Sequence, residues 1–461
     1  MEQVDVAIVG GGPAGTAAAR AAAHKGAHAV VIEKGVPRAD RESLGPDSTD
    51  AAGFLDFWSE IADVDPTTWP DEIIHQKLTG AEFVGPTESV TITETGIESA
   101  YPHFGFTFDR AKFDDWHREQ AVSAGAEYRV GTGVRSVDPD RHNGSGHDLH
   151  LADGSTIQAD TLILADGPQR QITLRVLDEF LPEDRSASDV LSPPTANHIA
   201  YQEYRRFPDA EFDPDRIKFW WGWVPGHTAY PWIFPNSDNV ARVGLTMPIG
   251  LSFEDVSNPA AYELIRATDE TMPSPRTFLE RFMQRRFGDE YDVDADFPRL
   301  ETYGKDEGTE TYPISSTRPI DSPTSHGIAV VGGAMGATSA FHEGGDHVAL
   351  RTGKLAGKLA ATGRLEAYND AWKAGIGQEV RRNVTLADMV RDYGPADWDR
   401  VFRIGQRMLP NQNGAVPGLR SALAAGIPAA KLYLAYRYGK YKLRSNRFVS
   451  LPESAYLASE Q

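Results

Sequence analysis

Residues 4–15 read Val4-Asp5-Val6-Ala7-Ile8-Val9-Gly10-Gly11-Gly12-Pro13-Ala14-Gly15. The run 4–9 has the apolar content of a buried parallel strand, and the alanine-rich stretch 14–25 that of a helix. Between them, the first glycine of Gly10-x-Gly12-x-x-Gly15 permits a tight turn out of the strand. The second lets a pyrophosphate approach the backbone, and the third lets the helix pack closely. The amino end of the helix, with its unsatisfied N–H groups, then faces the phosphates. Residues 29–33, Ala29-Val30-Val31-Ile32-Glu33, supply the next strand and close a β-α-β unit within about thirty residues. Glu33, eighteen residues beyond Gly15, stands where a carboxylate accepts hydrogen bonds from a ribose.

Two later segments extend this reading. An apolar strand over 161–164 delivers Ala165-Asp166-Gly167, and another over 327–331 leads into Gly332-Gly333-Ala334, then Gly344-Gly345 and a helix over 346–361. Their order and spacing favour FAD over a nicotinamide cofactor alone. A dinucleotide of that length laid across a domain needs phosphate, ribityl and ring contacts from distant parts of the chain. The expected fold is α/β: a Rossmann-like FAD-binding domain of three layers with a parallel sheet, an inserted antiparallel substrate sheet, and a mostly helical C-terminal region. The expected boundaries are 1–72, 105–180 and 312–364 for the discontinuous FAD domain, 73–104 and 181–311 for the substrate domain, and 365–461 for the helical region. Within these, a helix is expected over 48–60, strands over 73–98, a helical segment over 107–124, a strand over 126–137, and a hairpin joining 148–151 to 156–157 around Asp153-Gly154.

The chain has 461 residues, 40% of them hydrophobic, ample for a large core. With 66 acidic and 46 basic residues the formal charge is −20, which repels nucleic acid; no nucleic-acid partner is expected. Arg far outnumbers Lys and cysteine is absent, a balance that suits a halophilic protein with a carboxylate-rich surface. Without cysteine there is no disulfide, no thiolate nucleophile and no cysteine-ligated metal, which fits a reducing cytoplasm. No basic, cleavable leader precedes the first strand. The weakly apolar stretch 421–430 spans ten residues, too short to cross a bilayer.

Residues 230–235, Tyr230-Pro231-Trp232-Ile233-Phe234-Pro235, are followed by Gly244-Leu245-Thr246. On a strand, Tyr230, Trp232 and Phe234 project to one face and make one aromatic wall. With the glycine segments, this motif identifies a resemblance to the flavoprotein monooxygenase-like superfamily and, within it, to the geranylgeranyl reductase family, over about residues 1–360. The resemblance implies an FAD-dependent reductase of isoprenoid double bonds, acting on a membrane lipid, its precursor or a quinone side chain. It implies that Asp166-Gly167 approaches the pyrophosphate and that Arg110, in Phe108-Asp109-Arg110-x-x-Phe113-Asp114, contacts the cofactor. Tyr230, Trp232, Phe234 and Pro235 fall on the family's aromatic substrate motif Tyr-x-Trp-x-Phe-Pro. A wall of that kind suits an isoprenoid, which offers methyl groups and π bonds but nothing polar. Arg41, in the polar loop 35–46, and Gly333, Ala334, Gly344 and Gly345 complete the cofactor candidates.

This chain departs from the family at two places. The family places Asp after Gly332 to hold the ribityl chain; here the residue is Gly333. Its Gly-x-Gly after the aromatic motif is broken by Thr246. Some relatives carry a cysteine in the loop after the second strand, where Arg41-Glu42-Ser43-Leu44-Gly45-Pro46 carries none. Reduction of an isolated double bond needs a proton donor near flavin N5. His342, next to Glu343 and just before Gly344-Gly345, is the catalytic candidate. Nicotinamide and ferredoxin donors both serve such folds, so an electron-donor protein is a candidate partner.

Two other readings compete. A flavin monooxygenase or halogenase shares the FAD segments; a halogenase needs a lysine between flavin and substrate, for which Lys77 is the candidate. A degenerate family member would bind lipid or a partner protein without turnover. Finally, residues 431–450 gather Lys431, Arg437, Lys440, Lys442, Arg444 and Arg447 among Tyr433, Tyr436, Tyr438 and Tyr441, with no acidic residue. This segment either docks on anionic headgroups, at the inner face of the cell membrane, or pairs with the chain's own carboxylates.

Overall fold

The computed structural model describes residues 2–37, 53–55, 65–94, 101–140, 146–191, 197–304, 307–315, 318–408 and 426–457. Five strands form a parallel sheet in the order Glu127–Val130, Ala29–Glu33, Glu2–Val9, Thr156–Leu164, Ile328–Val330. Their centres are shielded on both faces: Val6, Ala7, Ile8, Leu162, Ile163 and Leu164 are fully buried, as a parallel sheet covered by helices requires. The first half of Thr156–Leu164 also carries an antiparallel arm, His147–Leu151, which pairs with Val134–Asp138. The expected hairpin residues 156–157 and the expected strand 161–164 are thus one continuous strand, held straight by pairing with Glu2–Val9 along its length.

The helix Pro13–Ala23 is joined by the helix Asp346–Ala360, more than three hundred residues later. They touch backbone to backbone. A methyl group at Gly353 would lie 2.0 Å from the Ala14 carbonyl oxygen, and one at Gly357 2.0 Å from that of Ala18. Two glycines four apart on one helix face make this approach possible.

A second, antiparallel-dominated sheet runs in the order Thr309–Ser315, Asn197–Arg206, Val240–Pro248, Tyr230–Pro235, Arg216–Trp220, Gly80–Val84, Ser89–Ile92, with Arg216–Trp220 and Gly80–Val84 parallel. One face is closed by the helix Pro275–Phe287. That helix starts on a Ser274 cap with proline in its first turn, and it buries Phe278, Leu279, Phe282 and Met283 against the sheet. The opposite face carries the aromatic residues of the site.

A third sheet joins Gly53–Leu55, Gly105–Phe108 and Ile74–Leu78 around Trp69, Phe106, Phe108 and Phe113. It corrects the expected helix over 48–60. Residues 53–55 are a strand, because Gly53 and Leu55 pair with Thr107 and Gly105; the remainder of that stretch lies outside the described residues. The helix expected from 107 begins instead at Arg110, after Asp109, whose carboxylate accepts from the Lys112 N–H at 3.0 Å and caps it. The expected strand 126–137 is two strands, broken at Gly131, which has φ of +70°.

Beyond the late glycine segment the described chain is mostly helical: Tyr368–Val390, Pro395–Met408 and Ile427–Lys442. The middle one seats Trp398 and Phe402 on the aromatic face of the second sheet. It is fastened there by Asp399, which accepts from the N–H groups of Thr87 (2.9 Å) and Glu88 (3.1 Å) and from the Thr87 hydroxyl (2.8 Å).

The helix–helix contact gives a direct test. Gly353→Ala forces a methyl into the Ala14 carbonyl and is expected to cost about 1–3 kcal/mol, read as a lower denaturant midpoint at unchanged m. Gly375→Ala, on the helix Tyr368–Val390, has only ordinary contacts at 3.9 Å and beyond. It is expected to stabilise by up to about 1 kcal/mol.

Candidate cofactor and substrate site

The glycine turn is clamped from both sides. Gly10 has φ of +100°, and a methyl there would lie 2.4 Å from the Ala165 carbonyl oxygen, so the turn rests directly on the backbone leading into Asp166-Gly167. At Gly15 a methyl would lie 1.9 Å from the Gly10 carbonyl oxygen. At Gly12, by contrast, a methyl would meet nothing within 4 Å. Gly12 is also the N-cap of Pro13–Ala23, whose first turn has neither a side-chain cap nor an acidic residue. An uncapped helix amino end facing open space fits a pyrophosphate. Glu33 stands at its edge, accepting from the N–H groups of Gly11 and Gly35, both at 2.6 Å.

Asp166 contributes backbone to this corner and turns its carboxylate elsewhere. It caps the helix Gln171–Asp178, accepting from the N–H groups of Ile172 (2.8 Å) and Thr173 (3.1 Å) and from the Thr173 hydroxyl. Gly167, with φ of +74°, has open space where its side chain would be. Arg110 forks onto Asp114, at 2.9 and 3.1 Å, and reaches Asp346 with its other nitrogen at 2.9 Å. It thereby joins the starts of two helices, Arg110–Ser123 and Asp346–Ala360, and offsets the carboxylate in the first turn of the second. Arg41 lies outside the described residues.

Arg170 is a component that the sequence did not reveal. It is fully buried and its guanidinium donates to the carbonyls of Ala334 (2.9 Å), Gly333 (3.0 Å), Leu191 (3.0 Å) and Pro168 (3.1 Å). Burial pulls its pKa down to about 10, partly opposed by Asp166. The turn that lacks the family's carboxylate is therefore pinned from below by a cation. A methyl at Gly333 would meet Pro168 and Gly167 at 3.4 Å or more, an ordinary contact, so a side chain there is sterically admissible.

At the ring end, Gly344 and Gly345 precede the helix Asp346–Ala360, and Gly345 caps it without a side-chain bond. His342 braces this loop. Its Nδ1 accepts from the Gly344 N–H at 3.3 Å, its own N–H donates to the Ser339 hydroxyl at 3.2 Å, and its ring stacks on His347. Burial, reinforced by His347, pushes its pKa down to about 3, so the imidazole is neutral at ordinary pH.

The aromatic wall lies against this loop. Tyr230, Trp232 and Phe234 are buried on one face of their strand, with successive ring centroids 6.1 and 6.3 Å apart, and Pro235 is buried at its end, where its carbonyl accepts from Thr107 Oγ1 at 2.6 Å. Phe219 sets its edge against Tyr230 and Phe234, and Trp221 stacks between Tyr230 (4.4 Å) and Phe341 (5.3 Å). Trp398 completes the enclosure at 4.5 Å from Trp221. The Tyr230 hydroxyl donates to the His342 carbonyl at 2.7 Å, tying the wall to the loop before the two glycines.

Thr246 has a place of its own in this arrangement. Gly244 is required because the Trp232 indole lies 2.5 Å from where a methyl would be, whereas Thr246 uses its hydroxyl to donate to Glu343 at 2.5 Å. Lys77 is exposed, on the small sheet opposite Phe106. Phe219, Trp221, Phe341 and Trp398 were not singled out from the sequence; the run Phe219-Trp220-Trp221, on and just after a strand beside the motif, was the available signal.

A family model for pyridine nucleotide-disulphide oxidoreductases matches residues 4–178, the part that holds the glycine turn and Asp166-Gly167. A redox disulfide has no counterpart in a chain without cysteine. The digeranylgeranylglycerophospholipid reductase 3 of Methanosphaera stadtmanae is 24% identical over 417 residues, covering 87% of this chain and 90% of that one. That of Methanosarcina acetivorans is 25% identical over 410 residues, 86% of this chain and 87% of its own. Among solved structures, a geranylgeranyl bacteriochlorophyll reductase-like protein from Thermoplasma acidophilum superposes with a TM-score of 0.68 at 21% identity, over 96% of this chain and 99% of that one. A myxobacterial FAD-dependent chondrochloren halogenase gives 0.53 at 18% identity, over 100% and 94%. At such identities the structures speak for the fold. The chain is an FAD-dependent oxidoreductase of Rossmann type. Within that class its similarity is to the geranylgeranyl-lipid reductases just named.

The ordinary contacts around Gly333 make the missing carboxylate testable. Gly333→Asp places an acceptor over a turn that already has a cation beneath it. It is expected to tighten FAD about tenfold, the effect of one charge-assisted hydrogen bond, in a flavin fluorescence titration. The melting temperature of the cofactor-free protein should be unchanged.

Proposed function

We propose that this chain reduces carbon–carbon double bonds in the geranylgeranyl chains of a membrane lipid, its precursor or a quinone. FAD, when bound and reduced, supplies the hydride. Gly10, Gly12 and Gly15 receive the pyrophosphate at the end of Pro13–Ala23, with Asp166-Gly167 beside them and Glu33 at the ribose. Gly333 and Ala334 would hold the ribityl chain and Gly344 and Gly345 the ring, while Arg110 orders the helix start. The observation that carries the reading is the 2.7 Å bond from Tyr230 to the His342 carbonyl, which puts a buried aromatic wall directly against the loop that follows the late glycine turn. The curated relatives named for reduction of digeranylgeranyl lipids support it.

Along Tyr230, Trp232 and Phe234 the wall is dominated by ring carbon; its polar atoms are the Tyr230 hydroxyl, already spent on the loop, and the buried Trp232 indole N–H. That favours saturation of an unactivated double bond over oxygen insertion or halogenation, which need a polar reactant held beside the ring. Electrons enter from a nicotinamide cofactor or a ferredoxin-type donor. With FAD, dithionite and a geranylgeranyl lipid, the product is expected to gain two hydrogens per reduced bond by mass spectrometry. Oxygen or halide incorporation would replace this reading with the monooxygenase or halogenase one.

We further place the protein at an anionic membrane surface through the helix Ile427–Lys442. Among the described residues no helix is long and apolar enough to cross a membrane. This one is anchored by Ala429 and, just beyond its end, Leu443, while Ile427, Leu434, Tyr438 and Tyr441 are more than half exposed. Among the described residues, Lys431, Arg437, Lys440, Lys442, Arg444 and Arg447 have no carboxylate partner, and four of them lie over neighbouring tyrosine rings. Co-sedimentation with vesicles containing anionic lipid is expected, and not with zwitterionic ones. The triple change Lys440→Ala, Lys442→Ala, Arg444→Ala should weaken it about a hundredfold at low salt, at roughly 1 kcal/mol per residue. Equal binding to both kinds of vesicle would remove this surface from consideration.

A further inference from the structure

Glu343 is buried, sits at φ of +58°, and directs its carboxylate away from its own loop into the second sheet. A non-glycine residue in the left-handed region persists where its surroundings over-determine it, and such residues gather at functional sites. Its Oε1 accepts from the Thr228 hydroxyl at 2.9 Å and lies 3.4 Å from His198 Nδ1; its Oε2 accepts from the Thr246 hydroxyl at 2.5 Å. Thr246 stands opposite Tyr230 on one neighbouring strand and Ala200 on the other, so the carboxylate lies on the face that carries Tyr230, Trp232 and Phe234.

The protonation of this pair follows from its partners. His198 Nε2 is 2.5 Å from the His227 carbonyl oxygen, and a carbonyl only accepts, so Nε2 carries a hydrogen. A neutral His198 would then turn the bare lone pair of Nδ1 toward the Glu343 oxygen. Two lone pairs facing each other in a buried site repel, and one proton between them removes the conflict. Either the carboxyl is protonated and donates to the ring, or the ring is charged and donates to the carboxylate; each form stores the same single proton. Burial raises the Glu343 pKa, against the pull of His198, Thr246 and Thr228.

We propose that the Glu343–His198 pair holds the proton consumed when a double bond is saturated on the aromatic wall, and that Thr246 positions it. This rests on the reductase reading above. The π electrons of the double bond take the proton from Glu343 and form one new C–H bond; the tertiary carbon left positive receives hydride from the reduced cofactor, forming the second. Glu343 is left as a carboxylate and the cofactor oxidised; solvent returns the proton, and the nicotinamide or ferredoxin donor returns the electrons. His342, neutral and with Nδ1 engaged by Gly344, braces the loop instead. The groups facing the pair are Tyr230, Thr228 and Thr246, with His227 beyond.

Two measurements test this independently. In cofactor-free protein, ¹⁵N-histidine spectra and the infrared carboxyl band are expected to show one proton on the pair at neutral pH, as an imidazolium at His198 or a protonated carboxyl that Glu343→Gln removes. A neutral His198 beside an ionised Glu343 would overturn the proposal whatever the substrate is. In the FAD-loaded protein with dithionite and a geranylgeranyl lipid, Glu343→Gln is expected to lower kcat by about 100-fold or more, with KM and FAD affinity little changed and the solvent deuterium effect altered. Thr246→Ser should retain turnover and Thr246→Gly lose part of it. Wild-type kcat in Glu343→Gln, or a loss explained wholly by weaker FAD binding, would overturn the proton role. Absence of reduction by the wild-type protein would count against the reductase reading, and the spectroscopic result would still decide the pair.

Discussion

The architecture depends on one close approach: the backbone of Asp346–Ala360 lying on that of Pro13–Ala23 through Gly353 and Gly357. Even a methyl at those positions would lie 2.0 Å from the Ala14 or Ala18 carbonyl oxygen, so the helices could not keep this approach. Because they meet, two amino ends from opposite parts of the chain open toward the same region, one uncapped beside Gly12 and the other beginning at Gly345. Unsatisfied N–H groups at both ends bias that region toward negative charge. A long anionic cofactor can thus be held at its phosphates and at its ring by helices that are mutually rigid.

The second constraint is the seam between the late loop and the aromatic sheet. Tyr230 fixes the backbone of His342, while Thr228, Thr246 and His198 converge on Glu343. All of these side chains are buried, so each unmade bond would leave a desolvated polar group, at about 1–3 kcal/mol. The seam is therefore stiff, and the spacing between the late loop and the aromatic wall is set by the protein itself. Such preorganisation is what a reaction on an apolar bond requires, since the substrate has no polar handle by which to orient itself.

The parts legible in the sequence were those whose physics is local. Gly10, Gly12 and Gly15 sit within one strand–turn–helix, and the period-two spacing of Tyr230, Trp232 and Phe234 fixes their common face. Residues 53–55 were misread because a three-residue strand carries almost no periodic signal, and its pairing with 105–107 is decided from a distance. Arg170, His198 and Trp398 were not legible for a related reason. Each acts on residues more than a hundred positions away, and nothing in its own neighbourhood marks it. Thr246 was visible only as a broken motif; its meaning came from the carboxylate of a residue almost a hundred positions later.

The ceiling over the aromatic wall comes from a different part of the chain than the wall itself. Trp398 and Phe402 ride on a helix fastened to the sheet edge through Asp399, apart from every group that holds the cofactor loop. The ceiling and the cofactor loop are therefore fastened by separate segments that meet at Trp221. On the proposed reading, trimming the ceiling changes the girth of chain accepted while the loop beside the wall keeps its place.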